Sequence, residues 1–456
     1  MSIVTRLALG SWTNQTTFIM ALTGLAVGLG NIWRFSYLMG ENGGGMFILV
    51  YLLSLLLVAV PVLIGEVIIG SHGRSSPIVA MEWACKRANV SIGWAAIGWL
   101  TSVTALLILS YYSVIAGWAL AYVGKMQTAL FTNANVASVG LHFQQFLSDP
   151  LGMLYWQSLF LGAALVVMAL GLRFGLGLFF WVAVPLFLVL LVILINFSCE
   201  NGNLEAAKKF LFAFNAWDFS ARSALIALGH AFYNLGIGVG AAMAFGAYMP
   251  KKTPIVRTVI MVVLIDTVIA IAMGVVIFPI IFANNLEPNM GPGLIFVSLP
   301  YAFGNMIQGQ WFGSLFFLLV VVTALGTAIA LAEPLVGYLI QVWRIRRIYA
   351  ALCVCGMAWI LGLGTVMSFS LWSSRNLIGG LNYFEAIDFL TANILLPICA
   401  LLIALFVGRV LDREVLRGKL YREGDQMFYL WLWLLRYIVP PAIIIIFVAA
   451  LLGGLG

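Results

Sequence analysis

The chain has 456 residues, of which 63% are hydrophobic and only 9% are charged, and its formal net charge is +7. These values exclude a soluble globular domain, because so few polar residues cannot cover a surface in water. Apolar segments of about twenty residues recur along the whole length, and each can cross roughly 30 Å of hydrocarbon. The sequence therefore predicts an all-α polytopic membrane protein whose surroundings are a lipid bilayer.

The hydrophobic pattern predicts eleven transmembrane helices in a single transmembrane domain, 1–456. In chain order they cover about 14–39, 45–70, 92–124, 153–172, 175–198, 219–249, 254–283, 311–341, 346–370, 385–408 and 427–452. Sixteen of the 23 Lys and Arg residues fall in the loops of one side and four in those of the other. The positive-inside rule then predicts a cytoplasmic N-terminus and, after eleven spans, a C-terminus outside. Because the positive charge is a topology signal, no nucleic-acid partner is expected.

Two spans carry glycine clusters that a continuous helix does not need. GLAVGLGNIWRF occupies 24–35 in the first span, and HAFYNLGIGVG occupies 230–240 in the sixth. Each helical glycine costs up to about 1 kcal/mol relative to alanine. Close helix packing would explain the first cluster alone, but the alternating glycines of the second do not form one helical face. Local unwinding explains both, and at membrane depth it is tolerated where the opened backbone lines a cavity or binds a ligand.

The two interrupted spans hold the same position in successive groups of five helices. This arrangement predicts an inverted repeat, with repeat one at about 14–198, repeat two at about 219–408 and an extra helix at about 427–452. A site at the membrane midplane would then lie between the two broken helices. Their half-helix N-termini attract an anion, and their freed carbonyls suit Na⁺.

Five stretches now identify a family. AVGLGNIWRF, ENGGG at 41–45, FYNLGIGVG, EP at 333–334 and FEAIDFLTANILLP together closely resemble the neurotransmitter:sodium symporter family, in its bacterial LeuT-like amino-acid transporter branch with eleven spans. The resemblance implies a LeuT-like 5+5 inverted repeat with broken helices 1 and 6. It also implies sodium-coupled symport of neutral, hydrophobic L-amino acids by alternating access, in the bacterial plasma (inner) membrane.

By this resemblance, sodium site 1 would use the carbonyl of Ala26, the side chains of Asn31, Asn234 and Asp266, and the substrate's own carboxylate. Oxygen ligands of this kind suit a hard cation. An acid in the middle of a membrane is expensive, so a functional role is the default interpretation of Asp266. Animal members need chloride to balance charge near this position, whereas Asp266 would supply that charge itself. Chloride is therefore not expected as a cofactor.

Sodium site 2 would use the carbonyls of Gly24, Val27 and Thr323 with the hydroxyl of Thr327. The chain departs from the family pattern at Gly326, where a second hydroxyl is expected and glycine cannot supply one. The resemblance therefore leaves open whether one or two Na⁺ ions are coupled.

The substrate pocket implied by the resemblance contains no charged residue, which favours a neutral amino acid. Its lining would comprise Ala26, Gly28, Gly30, Ile108, Tyr112, Tyr233, Asn234, Gly236, Val239, Thr327 and Leu331. Gly28 stands where monoamine carriers place an aspartate, so the substrate is expected to bring its own carboxylate, with the Tyr112 hydroxyl as its partner. Gly236 and Val239 are small and leave room for a bulky apolar side chain.

The resemblance also implies two gates. Outside, Arg34 would pair with Asp388 while Tyr233 closes over the substrate. His230 would lie beside them, either as a proton carrier or as a hydrogen-bonded neutral imidazole. Glu66 in the second span is expected to hold the unwound part of the first span through hydrogen bonds.

Inside, Trp12 and Tyr248 match the family's gate. Leu9 and Gln341 replace its arginine and its acidic partner, and Arg6 is a candidate to take the arginine's place. This inner closure is therefore expected to be weaker or built differently.

Alternatives remain open. One is a proton-coupled transporter of the same fold, through Asp266 or His230, or a sodium-independent one. Another is a membrane amino-acid sensor or receptor. An enzyme is not expected, because no HExxH, GxSxG or Walker A motif occurs. The oligomeric state and the particular amino acid are not predicted.

Overall fold

The computed structural model describes residues 9–212, 220–287, 293–373, 375–376 and 380–453, and these residues are helical with no β-strand. The main helices are α1 (Gln15–Ala26), α2 (Gly30–Glu41), α3 (Gly45–Gly73), α4 (Ile92–Lys125), α5 (Pro150–Ala169), α6 (Leu172–Asn201), α7 (Ala221–Asn234), α8 (Ala241–Ala247), α9 (Ile255–Ala283), α10 (Gly309–Val342), α11 (Arg347–Phe369), α12 (Tyr383–Val410) and α13 (Asp425–Gly453). Shorter helices in the connecting segments are Pro77–Arg87, Val136–Leu147, Leu204–Phe212, Leu294–Gly304 and Arg413–Lys419.

Within these described ranges, nine helices are long and apolar enough to cross a membrane. The bent pair α1–α2 makes a tenth span if it is counted as one. The predicted sixth span consists of α7 and α8, which are 14 and 7 residues long and are separated by six non-helical residues. Neither helix is long enough to cross a membrane alone, so the sixth span is not counted among the nine. The chain is an integral, all-helical membrane protein.

The first span bends by 49° between α1 and α2. A Cβ on Gly28 would lie 2.4 Å from Thr327 Oγ1, and one on Gly24 would lie 2.4 Å from the ring of Phe180. Glycine is therefore required at both positions because neighbouring side chains approach the backbone so closely. Close packing against neighbouring helices and local unwinding of the helix occur together here. Both explanations of the first glycine cluster therefore apply.

The break between α7 and α8 has a different local cause. Gly236, Gly238 and Gly240 have φ angles of 60°, 85° and 70°, which is left-handed backbone that other residues rarely adopt. The alternating glycines thus open the helix. The Gly238 amide donates to Glu66 Oε1 at 2.6 Å. The prediction for Glu66 was wrong in its partner, because its carboxylate holds the unwound part of the sixth span rather than the first.

Helix α10 lies at the centre of the bundle, and α13 lies at its edge. In the apolar 18-residue stretch of α10, 72% of the residues are buried, whereas in that of α13 only 28% are buried. Several predicted boundaries were misplaced by about three residues. For example, α5 ends at Ala169 rather than at 172, and Gly171 turns the chain into α6 with a φ of 89°.

Candidate substrate and cation site

A cavity with about 440 Å³ of empty space lies at the two helix breaks. All eleven residues predicted to line the substrate pocket lie on it: Ala26, Gly28, Gly30, Ile108, Tyr112, Tyr233, Asn234, Gly236, Val239, Thr327 and Leu331. Leu25, Leu29 and Leu396 complete the lining and were missed by sequence reasoning. Leu396 stands among other aliphatic residues of α12, so the sequence carries no signal that separates it from its neighbours. None of these lining residues is charged.

A polar corner interrupts this apolar wall where α2 begins. The Leu29 amide donates to the Tyr112 hydroxyl at 3.4 Å, and that hydroxyl would lie 3.1 Å from a Cβ on Gly28. The absence of a side chain at Gly28 therefore leaves the tyrosine hydroxyl next to open backbone. A hydroxyl and a helix N-terminus are the donors that a carboxylate needs.

Asp266 on α9 joins the two breaks. Asn31 Nδ2 donates to Asp266 Oδ1 at 2.7 Å, and Asn234 Nδ2 donates to Asp266 Oδ2 at 2.8 Å. Asn234 Nδ2 also donates to the Tyr51 hydroxyl at 2.8 Å. Tyr51 was not predicted, because nothing in its apolar surroundings in α3 marks it as a polar partner. Asn31 and Asp266 are fully buried, so the carboxylate depends on these amide donors.

This cluster fits a small hard cation. Asn234 Oδ1 is buried and has no hydrogen-bond partner within the described part of the chain. Such an orphaned oxygen is costly unless another group satisfies it. A carboxylate with amide oxygens is the type of donor set that Na⁺ accepts. Asn31 Oδ1 also accepts a hydrogen bond from the Gly28 amide at 3.2 Å, and Ala26 lies on the adjoining cavity. The four residues predicted for sodium site 1 are thus gathered at one place.

The residues predicted for sodium site 2 also lie together, but with fewer donors. Thr327 Oγ1 lies 3.4–3.5 Å from the carbonyl oxygens of Gly24, Leu25 and Val27. The hydroxyl of Thr323 is bonded within its own helix. Three carbonyls therefore converge on a single hydroxyl.

At Gly326 the second hydroxyl expected for this site is missing. A Cβ there would lie 2.9 Å from the Gly24 carbonyl oxygen and 3.4 Å from the ring of Phe180. Phe180 thus borders the position that a hydroxyl-bearing side chain would need. Sequence reasoning missed this phenylalanine, because one aromatic residue in an aromatic-rich span gives no signal.

Above the cavity lies a larger vestibule with about 1040 Å³ of empty space. Arg34 Nη1 lies 3.8 Å from Asp388 Oδ1 across it, and the guanidinium is 4.4 Å from the centroid of the Tyr233 ring. Tyr233, together with Leu29 and Tyr112, lines both spaces. These three residues therefore form the partition between vestibule and cavity.

His230 lies behind this partition in an aromatic environment. Its ring centroid is 5.7 Å from that of Phe35, in a stacked arrangement, and 5.6 Å from that of Tyr51. Neither ring nitrogen has a hydrogen-bond partner among the residues that are described. Of the two predicted forms, the hydrogen-bonded imidazole is therefore not what the structure shows.

On the opposite side, Trp12 Nε1 donates to the Phe245 carbonyl at 3.1 Å, and the Trp12 amide donates to the Tyr248 carbonyl at 2.9 Å. The Tyr248 hydroxyl donates to Glu333, whose other carboxylate oxygen lies 2.5 Å from Arg347 Nη2. A buried ion pair thus exists on this side, although not at the positions expected from the family.

The two departures from the family gate have different surroundings. Gln341 Oε1 accepts a hydrogen bond from the Ser76 amide at 2.8 Å. Leu9 packs near Gly337, where a Cβ would lie 3.6 Å from its side chain. Arg6 lies outside the described residues. The available signal for the ion pair was the charge of Glu333 within the EP motif, but its partner Arg347 was hidden among several basic loop residues.

These features define a polytopic membrane protein with a neutral cavity and an oxygen-rich cation cluster between two broken helices. The model of the Sodium:neurotransmitter symporter family matches residues 9–137 and 139–453, so the chain belongs to that family. The resemblance found in the sequence is confirmed.

Two bacterial relatives and one solved structure cover nearly the whole chain. The uncharacterized sodium-dependent transporter YhdH of Bacillus subtilis is 32% identical over 440 residues, covering 96% of both chains. One from Haemophilus influenzae is 28% identical and covers 97% of this chain and 98% of its own. The crystal structure of MhsT in complex with L-phenylalanine superimposes with a TM-score of 0.87 at 34% identity, covering 97% and 99%. The chain is therefore a sodium-coupled transporter with the fold of MhsT.

Proposed function

We propose that this protein carries neutral L-amino acids with bulky apolar side chains into the cell, coupled to Na⁺, by alternating access. The observation that carries the proposal is the position of Asn234, which lines the uncharged cavity and also donates to Asp266 in the cation cluster. Substrate and ion would therefore share one residue. Each would raise the affinity of the other, because such linkage is reciprocal.

The substrate would lie with its carboxylate at Tyr112 and the start of α2, and with its side chain among the aliphatic residues of the cavity. The apolar walls exclude a charged side chain, since an unpaired charge there would be strongly penalised. The L-phenylalanine bound to MhsT supports an amino-acid substrate of this size. Discrimination among apolar side chains would be weak, because one methylene contributes about 1–3 kcal/mol.

The cation cluster would take Na⁺ on Asn31, Asn234, Asp266 and the Ala26 carbonyl. The negative charge of Asp266 would make chloride unnecessary, in contrast to relatives such as the sodium- and chloride-dependent taurine transporter of Rattus norvegicus, which is 25% identical over 489 residues. A second ion would bind at Thr327, where the missing hydroxyl at Gly326 weakens the donor set.

The transport cycle would open the vestibule and the opposite side in turn. Arg34, Asp388 and Tyr233 would close the outer path. Glu333, Arg347 and Tyr248 would close the inner one, in place of the pair absent at Leu9 and Gln341. We propose eleven spans with a 5+5 inverted repeat in a bacterial inner membrane, the N-terminus inside and the C-terminus outside. The charge distribution of the loops supports this orientation.

The test is uptake of radiolabelled neutral amino acids into proteoliposomes under an inward Na⁺ gradient, and then with K⁺ replacing Na⁺ at constant pH. We expect accumulation only with Na⁺, and its loss in Asn234→Ala. The matched control Asn42→Ala, at the end of α2 and away from the cavity, should keep uptake. Equal accumulation without Na⁺, or accumulation driven by a pH gradient alone, contradicts sodium coupling. Saturable binding without uptake would instead indicate a sensor.

A further inference from the structure

Three arginines that the transport site does not use lie near the C-terminal end of α12: Arg409 in its last turn, Arg413 just after it, and Arg436 within α13. Arg409 Nη2 lies 3.4 Å from the carbonyl oxygen of Arg436, and Arg436 Nε donates to the carbonyl of Gly408. A Cβ on Gly408 would lie 3.3 Å from Arg436 Cγ, so the Arg436 side chain crosses the glycine closely. Each of the two arginines is thus tied to the other's helix, and their charges are held side by side.

The three arginines outnumber the two carboxylates, Asp412 and Glu414, that flank Arg413 in the sequence. Arg436 is repelled electrostatically by both Arg409 and Arg413. None of the three belongs to an ion pair within the described ranges, whereas Arg417 in the same connecting segment pairs with Asp425 at 2.6 Å. Fixing like charges next to one another is unfavourable unless an anion lies between them.

Arg436 is the one charged residue between Gln426 and Gly453 in the otherwise apolar sequence of α13. From Tyr437 to Gly453 the helix has no charged residue, and at 1.5 Å per residue it can cross roughly 25 Å. Trp433 and Tyr437 are 50% and 60% exposed, with ring centroids 6.4 Å apart. Exposed Trp and Tyr are typical of the headgroup level of a bilayer. The exposed aromatic pair favours a position of the arginines near the lipid phosphates, beside the most exposed of the long helices that the structure describes.

We propose that Arg409, Arg413 and Arg436 bind the headgroup of an anionic phospholipid. A guanidinium presents paired N–H donors that match the oxygens of a phosphate diester, and three of them would neutralise its charge and their own repulsion. Trp433 and Tyr437 would pack against the adjoining glycerol and acyl chains. The site is independent of the transport cavity, and only its assignment to the cytoplasmic leaflet rests on the proposed orientation.

The experiment measures lipid affinity of the full-length protein in detergent, by native mass spectrometry with phosphatidylglycerol and phosphatidylcholine. We expect the wild type to bind phosphatidylglycerol more tightly. The triple variant Arg409→Gln/Arg413→Gln/Arg436→Gln should lose on the order of 100-fold in that affinity, about fivefold for each arginine. Phosphatidylcholine binding should not change.

Two further variants keep the test decisive. Arg409 and Arg413 are exposed, so Arg409→Gln/Arg413→Gln should fold normally and still lose roughly 25-fold. Arg422→Gln removes an exposed arginine of the same connecting segment and should change nothing. Equal affinity of the wild type for both lipids overturns the proposal, as does an equal loss in Arg422→Gln. Competition by millimolar inorganic phosphate would indicate a site for free anions and would overturn the lipid assignment.

Discussion

The proposed outer and inner closures are both built on a carboxylate and a guanidinium, but they differ in distance and in exposure. Arg34 and Asp388 lie 3.8 Å apart with side chains 23% and 31% exposed, at the wall of a vestibule. Glu333 and Arg347 lie 2.5 Å apart, and Glu333 is fully buried. Exposed pairs contribute about 0–1 kcal/mol, whereas breaking a buried pair costs about 3–5 kcal/mol. If the two pairs close the path as proposed, the pair at Glu333 and Arg347 should be much harder to open than the pair at Arg34 and Asp388.

The largest effect is expected from Arg347→Ala, which leaves Glu333 buried without its partner. We expect a loss of about 3–5 kcal/mol in the stability of the inward-closed form, seen as a large fall in melting temperature and loss of uptake. Arg346→Ala removes an exposed neighbouring charge and serves as the control. If both variants melt at the same temperature, the inner pair does not hold the closure.

The comparison extends to Asp266, which lies between the two closures and is buried like the inner pair. In Asp266→Asn the two charge-assisted hydrogen bonds from Asn31 and Asn234 lose their strength. The Na⁺ concentration for half-maximal uptake should rise at least about tenfold, equivalent to roughly 1.4 kcal/mol. Uptake should also become dependent on chloride, while the wild type and the exposed-site control Glu205→Gln should not be. Chloride dependence in the wild type that persists in Asp266→Asn would refute the assigned charge role.

An intermediate effect is expected at the second cation position, where packing is already tight. Gly326→Ser alone should lower stability by about 1–3 kcal/mol, because its Cβ approaches the Gly24 carbonyl and Phe180. Gly326→Ser/Phe180→Ala gives the hydroxyl room and should lower the half-saturating Na⁺ concentration severalfold relative to Phe180→Ala. The measurement is uptake against Na⁺ concentration with thermal unfolding in parallel. No change between the double and the Phe180→Ala variants would mean that no ion binds there.

The smallest effect is expected from Asp388→Asn at the outer pair. Because this pair is loose and partly exposed, the free energy of unfolding should change by no more than about 1 kcal/mol. The melting temperature should therefore shift only slightly. Uptake should fall only a fewfold, as Tyr233 still closes the partition. A destabilisation as large as that of Arg347→Ala would abolish the distinction between the two closures.

Much of this arrangement could be predicted from the sequence, and the exceptions share a physical cause. The alternating glycines at 236, 238 and 240 led directly to a helix break, because only unusual backbone needs them. The family motifs led to the cavity lining. Leu396, Phe180 and Tyr51 could not be predicted, since an apolar or aromatic residue in a membrane helix looks the same whether it faces lipid, core or cavity.

The partners of charged residues were equally hard to predict. Glu66 was recognised as a structural acid, but its distance to two unwound segments depends on how α3 packs against α8. Arg347 lies in a basic stretch that also determines topology, so nothing in the sequence marks its contacts with Glu333 and with the Met168 carbonyl.

Tyr233 and Asn234 are neighbours in the last turn of α7, just before the opened backbone. One residue belongs to the lid of the cavity, and the other belongs to the ion cluster. A movement of this turn as a whole would displace the Asn234 oxygen together with Tyr233, whereas rotation of the Tyr233 side chain alone would not. Greater flexibility of that turn would then allow Na⁺ to cross without substrate, even if every residue that binds the ion is intact.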